Sequence, residues 1–570
     1  MRKRIIASLL TIAMLISALS AGCGGTVQKE QDASGSEPAT SAEEQEPAIT
    51  ALTYMEQYNT APQQVTDDNY RTYYEVFVYS FYDSDGDGIG DFKGLTEKLD
   101  YINDGDPTTT TDLGCNGIWL MPIMPSPSYH KYDVIDYYEI DPEYGTMEDF
   151  KAFVKACDER GIRVMIDLVM NHSSSEHEWF QTACEYLKSL PAGAEPNLEE
   201  CPYVDYYFFD KQQKSGYAPL EGTEWYYEGQ FWSGMPDLNM GNEAVRAEFE
   251  AVVDYWLDLG VTGFRLDAAK EFYSGEDEKN IEVLTWFNDM VKAKNEDVYI
   301  VAEVFDNIAT YAPYHASGVS CFNFAFADYG GTIALALREG NGKMYASRLI
   351  SAQEDFAKWN ENYIDSPFYT NHDISRSAGY YQTDEGFQQL KLSHAMNLLM
   401  SGSAFLYYGE ELGMRGSGRD ENKRVGMYWS MDENAEGMCD GPKDREAFDM
   451  KFESFEEQNV DGDSIYNFVK QTILLRNQFP AISHGVVEKE EGLMEESGIS
   501  ALKKSYNGEE VLLVFNLAKE SRVIDLSKVT LMEGELEVSG VLLTSAEDIV
   551  MEGTSITLPS YSVIVLTKVQ

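Results

Sequence analysis

Cations are scarce in this chain. Its 570 residues carry 43 Lys and Arg against 97 Asp and Glu, a formal net charge of −54. Phosphate backbones are held by clustered Lys and Arg, so nucleic acid is a poor partner for this surface and none is expected. An acidic surface favours solubility and cation binding instead. Cysteine is also sparse, with seven residues and no C-x-x-C pair, which argues against a zinc or thiol-redox centre. No G-x-G-x-x-G turn follows an apolar strand. That absence removes the dinucleotide-binding reading and the support for a doubly wound open sheet.

The N-terminus is set apart from the rest. Arg2-Lys3-Arg4 precedes the apolar run 5–19, and Ser20-Ala21-Gly22 follows it, so residues 1–22 read as a secretory signal. The ending "LSAGC" resembles a bacterial lipobox, which implies lipidation of Cys23. An ordinary signal peptide or a retained anchor helix are the alternatives. Residues 23–50 are rich in Ser, Glu, Gln, Ala and Gly without aromatics and read as a flexible tether. The expected location is extracytoplasmic, at a membrane surface, with the lipid as the only membrane contact and the body monomeric in water. Cys115 and Cys157 read as buried thiols. Cys184 and Cys201 are a pair the sequence leaves open.

What is present is 43% hydrophobic residues and 13% aromatics, enough for a large core. Across residues 70–480, eight short apolar runs alternate with helical patterns. They are "YYEVFVYSF" (73–81), "NGIWLMPI" (116–123), "IRVMIDLVMNH" (162–172), "GFRLD" (263–267), "VYIVAEVF" (298–305), "CFNFAF" (321–326), "PFYTNHD" (367–373) and "SAFLYYGEE" (403–411). This alternation predicts an α/β fold, a closed (β/α)8 TIM barrel. Residues 173–236 are too many for a simple loop and show little regular period, which predicts an inserted domain after strand 3. Residues 481–570 alternate apolar and polar between turns, which predicts a C-terminal antiparallel β-sandwich.

Three acids stand at or just past predicted strand ends: Asp267, Glu303 and Asp373. Barrel catalysis is placed at that end. Cleavage of a glycosidic bond needs a carboxylate on one side of the anomeric carbon and a protonated acid on the other. A further carboxylate stabilises the cationic transition state. Arg265 lies two residues before Asp267 on the same strand face and keeps it ionised, as a nucleophile requires. Glu303 follows the apolar "VYIVA", and an apolar wall raises a carboxyl pKa, as a general acid requires. His172 and His372 each end a strand beside Asn and can donate to sugar hydroxyls.

Four stretches then appear in order: "DLVMNH" (167–172), "GFRLDAAKE" (263–271), "VAEVFD" (301–306) and "FYTNHD" (368–373). In this the chain resembles the α-amylase family of glycoside hydrolases, from about Tyr73 to the C-terminus. The resemblance implies Asp267 as nucleophile, Glu303 as acid/base and Asp373 as transition-state stabiliser. It places Arg265, His172, Lys270 and His372 in the substrate site. It also implies retention of anomeric configuration, with the two working carboxyls about 5–5.5 Å apart. "HKYDVIDYY" resembles the family segment whose Tyr stacks under the sugar and whose Asp binds its hydroxyls, here Tyr132 and Asp133. "RVGMYW" resembles the segment supplying an Arg partner to that Asp, here Arg424.

"DSDGDGIGD" reads as a cation loop on its own terms. Oxygen side chains alternate at Asp83, Asp85, Asp87 and Asp91, Ile89 offers a backbone oxygen, and glycines allow the curl. Related amylases carry a similar loop, which implies structural Ca²⁺. Asn171 binds a further calcium in some family members, a point left open here.

"MPDLN" (235–239) resembles the motif of a group between oligo-1,6-glucosidases and neopullulanases. Ala268 after the nucleophile leans towards α-1,4 bonds. Glu271 stands where many endo-amylases have His, and Lys131 where Gly is usual, which implies a changed leaving side and a narrower donor side. The leading expectation is a retaining α-amylase on starch or maltooligosaccharides. The alternatives are an exo-acting α-glucosidase or an oligo-1,6-glucosidase or neopullulanase, and a non-catalytic glycan-binding lipoprotein.

Overall fold

The computed structural model describes residues 51–569. The signal segment, Cys23 and the tether lie outside the described residues. Ten strands precede residue 480 among them: β1 (Thr72–Val76), β2 (Gly117–Leu120), β3 (Arg163–Leu168), β4 (Phe209–Asp210), β5 (Tyr217–Pro219), β6 (Tyr226–Glu228), β7 (Gly263–Leu266), β8 (Tyr299–Ala302), β9 (Ser320–Cys321) and β10 (Ala404–Tyr407).

Seven of these form one parallel sheet in the order β10-β1-β2-β3-β7-β8-β9. The ring closes through residues 366–368, which make parallel bridges from Ser366 to Phe322 and from Phe368 to Phe405. The expected seventh strand is therefore reduced to two backbone bridges. Pro367 lacks an N–H and cannot carry a full ladder. Its carbonyl still accepts from Phe405 N at 2.8 Å. The architecture is the (β/α)8 barrel.

The observed strands are shorter than the apolar runs. The run 73–81 leaves the sheet after Val76 and turns through a 3-10 helix at Val78–Ser80. The run 403–411 does the same after Tyr407, through Glu410–Leu412. The loops at the barrel mouth are buried too, so their apolar residues extend the pattern past the strand ends. Inside the ring, Tyr73 stacks on Phe405 and Tyr299 at 5.1 and 5.6 Å. Gly117 lies against the Tyr73 ring, where a Cβ would come within 2.5 Å of Cδ1, so that position accepts no side chain.

Residues 173–236 hold more regular structure than their weak period suggests. They carry an amphipathic helix, Glu178–Ser189, capped by His177, whose Nδ1 accepts from Trp179 N at 3.1 Å. A 3-10 helix follows at Pro202–Tyr206, then a small antiparallel sheet in the order β4-β6-β5. These elements are short, and dense aromatic packing supplies what length does not: Phe180 meets Tyr207 and Tyr227 at 5.0 and 4.8 Å.

Beyond residue 485 come β11 (Val486–Lys489), β12 (Ile499–Tyr506), β13 (Glu509–Asn516), β14 (Arg522–Asp525), β15 (Leu536–Leu542), β16 (Val550–Glu552), β17 (Ser555–Leu558) and β18 (Ser562–Lys568). They form two antiparallel sheets, β11-β12-β13-β18-β15 and β14-β17-β16. A buried cation joins the first sheet to the barrel: Lys504 Nζ on β12 donates to the carbonyls of Leu399 and Ile482 at 2.7 and 2.6 Å. Beside it, Arg476 Nη1 on the helix Ile465–Gln478 donates to the carbonyls of Leu398 and Met400 at 2.8 and 2.6 Å. The six described cysteines are free thiols, Cys184 and Cys201 included.

Candidate active site

Side chains two apart on a strand share a face. Arg265 on β7 and Asp267 just beyond it therefore both turn to the barrel axis. Arg265 is 1% exposed, and a cation buried that deeply needs carboxylates around it. Its Nη1 donates to both oxygens of Asp167 on β3, at 2.8 and 2.9 Å, and to Asp267 Oδ1 at 2.7 Å. Its Nη2 lies 3.0 Å from Oε2 of Glu303, the residue after β8. One guanidinium thus gathers acids from three neighbouring strands.

These acids differ in environment. Burial pushes Glu303 up, Arg265 opposes it, and Asp267 and Asp373 reinforce the rise. Burial pushes Asp167 up to about 7 against the pull of Arg265. Ala268 adopts a left-handed backbone, φ +46°, rare for a residue with a Cβ. This turn aims its N–H at Glu303 Oε2, 3.1 Å away, and the next N–H, of Ala269, at the Glu303 carbonyl, 3.0 Å away.

Asp373 comes from the loop after the seventh strand. Burial acts to raise its pKa, but His372, Arg424 and Arg265 overcome that and hold it well below the usual carboxylate range. His372 Nε2 is 3.0 Å from Asp373 Oδ2 and 2.7 Å from the Tyr132 hydroxyl. Its Nδ1 is 2.6 Å from Glu75 Oε1 on β1. Burial lowers the His372 pKa, yet Asp373 and Glu75 together lift it to about 9. His172 lacks such partners, and burial lowers it. Its Nε2 faces the Tyr132 carbonyl at 3.2 Å.

The expected Asp133–Arg424 pair does not form. Arg424 Nη2 instead binds Asp373 Oδ1 at 2.8 Å, and its Nη1 donates to the Tyr129 hydroxyl at 3.3 Å. Asp133 is 1% exposed and accepts from the hydroxyls of Ser126 and Ser128. Adjacent Tyr132 and Asp133 point to different sides of the chain, so only Tyr132 reaches the cleft. Lys131 does not narrow the cleft either. It holds the left-handed φ of +64° that a Gly would favour, and its buried ammonium turns away to Asp141 at 2.9 Å and Glu143 at 2.5 Å.

The cleft has a volume of about 600 Å³ and is lined by Tyr132, His172, Asp267, Glu303, Asp373 and Arg424 among others. Lys270 stands on its rim, paired with Asp306 at 2.6 Å. Phe231, Trp232 and Phe305, each about half exposed, line its flanks. Glu271 also reaches the lining, where its Oε2 accepts from Gln230 Nε2 at 2.5 Å.

Four site residues were not singled out from the sequence: Asp167, Glu75, Gln230 and Asp237. Glu75 had a signal, as a lone acid within the apolar strand "YYEVFV". Asp167 lies inside a quoted motif, two residues before Val169 on the apolar strand end, and its partner Arg265 is 98 residues away. Asp237 accepts from Gln230 N at 3.1 Å and Asn171 Nδ2 at 3.4 Å, and burial pushes it up to about 7.

In the loop 83–91, Asp83, Asp85 and Asp91 bring carboxylate oxygens within 4.8 Å of one another. Asp83 also accepts from the N–H groups of Asp85, Gly86 and Gly88, and Asp91 from Ser84 and Gly94. Asp87 is outside the convergent trio and accepts from Ile89 N. All-oxygen donors of this kind fit a hard divalent cation.

The model of the α-amylase catalytic domain matches residues 75–485. The chain belongs to the α-amylase family. It is 36% identical to α-amylase 3 of Dictyoglomus thermophilum over 473 residues, 82% of this chain and 88% of that protein. It is 31% identical to the glucan 1,6-α-glucosidase of Streptococcus pneumoniae over 60% of this chain and 64% of that one. Among solved structures, Eubacterium rectale Amy13B is 48% identical, with a TM-score of 0.86, over 90% of this chain and 99% of that one. Membership accounts for the order of the four motifs, which the barrel brings to a single mouth.

Proposed function

We propose that this protein is a retaining glycoside hydrolase that cleaves α-1,4-glucosidic bonds in starch or maltooligosaccharides, the reaction of an α-amylase. The observation that carries this is the single Arg265 guanidinium shared by Asp267, at 2.7 Å, and Glu303, at 3.0 Å. Two acids on one cation serve a double displacement from opposite roles. Glu303, raised by burial, delivers its proton to the glycosidic oxygen. Asp267 attacks the anomeric carbon and forms the glycosyl-enzyme bond as the leaving chain departs. Glu303 then takes a proton from water, which attacks the same carbon, releases Asp267 and restores the original configuration. Asp373, kept anionic by His372 and Arg424, faces the positive charge that develops on the ring.

Tyr132 supplies a ring face beneath the sugar, and His172 and His372 supply hydrogen bonds to its hydroxyls. Asp83, Asp85 and Asp91, with Asp87 and the Ile89 carbonyl, are assigned to a structural Ca²⁺ that would tie the first βα loop together. The basic and apolar start of the chain and Cys23 support export and lipid anchoring.

Soluble starch tests the reading, with viscosity and new reducing ends followed together and Asp267→Asn as control. A steep viscosity fall with few reducing ends marks internal cleavage. Reducing sugar without loss of viscosity replaces it with an exo-acting glucosidase, and no change in either points to α-1,6 oligosaccharides as substrate. The Glu271–Gln230 contact in the cleft wall favours the exo-acting reading.

A further inference from the structure

We propose that Tyr329 is the platform of a second α-glucan-binding site, on the catalytic face of the barrel but outside the cleft that holds Asp267. This rests on the α-glucan reading above. A hollow of about 290 Å³ forms where three mouth loops meet: those after β9, after the seventh strand and after β10. Tyr329, Ser375, Tyr380, Gln382, Arg415 and Ser417 line it, and none of them lines the cleft.

Tyr329 is 52% exposed, yet it is held on several sides. The Arg338 guanidinium lies over its ring, 3.8 Å from the centroid, and Arg338 Nη1 donates to the Tyr329 carbonyl at 2.8 Å. Tyr380 meets it edge-on at 5.8 Å. The preceding Asp328 has φ +68°, a left-handed turn fixed by three hydrogen bonds. Its N–H donates to the Tyr369 carbonyl at 3.0 Å, and its Oδ1 accepts from Tyr329 N at 2.6 Å and from the Tyr380 hydroxyl at 3.1 Å. Such backbone is kept only where the surroundings over-determine it.

With one face backed by a cation and one edge by Tyr380, the other face of Tyr329 is offered to solvent. A large rigid aromatic loses little conformational freedom on binding, and its apolar face suits the C–H face of a sugar ring. Ser375, Ser417 and Gln382 line the hollow with it and offer polar side chains to sugar hydroxyls, Gln382 Nε2 donating to the Gly379 carbonyl at 2.8 Å. Two guanidiniums line the hollow and both are engaged: Arg415 donates to the Asp449 carbonyl at 3.1 Å, and Arg376, 1% exposed, to the carbonyls of Lys423 and Tyr408 at 3.0 and 2.7 Å. The chain as a whole is strongly acidic, so an anionic ligand is disfavoured and a neutral one favoured. Because the seventh-strand loop carries both Asp373 and Ser375, a polymer held on Tyr329 stays close to the working acids.

The test uses the full-length protein with Asp267→Asn to stop turnover, and measures its retardation in gels containing amylopectin. Hydrolysis of a short aryl maltotrioside is measured in parallel on the active enzyme. Tyr329→Ala is expected to weaken retardation about 3–10-fold and to leave kcat/KM on the short substrate within about twofold, with Tyr329→Phe close to the parent in both. Retardation unchanged by Tyr329→Ala overturns the proposal. So does an equal loss on the short substrate, since that would place Tyr329 in the cleft. A parent that is neither retarded nor active on either glucan overturns the α-glucan reading itself.

Discussion

Glu75 and His372 meet at 2.6 Å across the barrel mouth, from strands with β10 between them. Both are buried; burial lowers the His372 pKa, but Asp373 and this Glu75 contact together raise it to about 9 and hold His372 charged. A free His titrates near ~6.5. The folded value is the higher one, so this stabilisation is fully present below about 6.5 and lost as pH rises through about 9. Urea midpoints are expected to fall across that interval. Glu75→Gln removes one of the two raising partners and should shift the fall to lower pH. An unmoved alkaline limb in that variant would show that Glu75 does not set the titration.

Glu303 carries a different pH limb. As a general acid it must start protonated, so kcat/KM should fall as pH rises through its raised pKa. Glu303→Gln should cut starch hydrolysis by ~10³-fold or more, and aryl glycosides with good leaving groups far less. The alkaline limb should vanish with those substrates. Asp267→Asn should lose as much on both substrate types. Equal losses for Glu303→Gln on starch and activated glycosides would refute its role as acid.

Removing Arg265 leaves Asp167, Asp267 and Glu303 without the cation they share. Breaking a buried ion pair from one side costs about 3–5 kcal/mol. Arg265→Met should therefore lower folding stability by that amount in urea titration as well as abolish turnover. Asp167→Asn keeps the shape and should cost less. A stable Arg265→Met protein would mean the carboxylates are neutralised by other means.

Chelation is expected to lower the melting temperature, with recovery on adding Ca²⁺. Asp83→Asn should remove most of that dependence and Asp87→Asn less, since only Asp83 belongs to the convergent trio. Calorimetry with and without a chelator decides it. A chelator-insensitive parent would reduce the loop to a hydrogen-bonded turn.

The convergence of the candidate acids was readable in sequence because they stand at the ends of apolar strands, where spacing fixes direction. Asp267 and Glu303 are of this kind, and "GFRLD" announces its own ion pair over two residues. What was not readable depends on contacts far apart in the chain. Arg424 was expected to meet Asp133 and instead binds Asp373, a choice made by how the loop after β10 folds over the mouth. Glu75 had no local reason to be more than a strand charge until His372, 297 residues later, reached it. Strand ends were overestimated because buried loops are as apolar as strands. The helix Glu178–Ser189 was missed although its apolar residues recur at helical spacing. Aromatic-rich segments on either side masked that period.

The seventh strand has a consequence for how the barrel yields. From β10 through β8 each neighbouring pair of strands shares a four-pair ladder and β8 meets β9 over two pairs, but the seventh strand is fastened by one bridge on each side and by the rings of Phe322, Phe368 and Phe405. Amide protons along that seam should exchange with solvent before those of β1 to β3, and a rising denaturant should part the wall there first. The residues next to the seam are His372 and Asp373. The placement of Asp373 should therefore be lost before the fold, and the activity proposed for this site should fall silent while most of the barrel still stands.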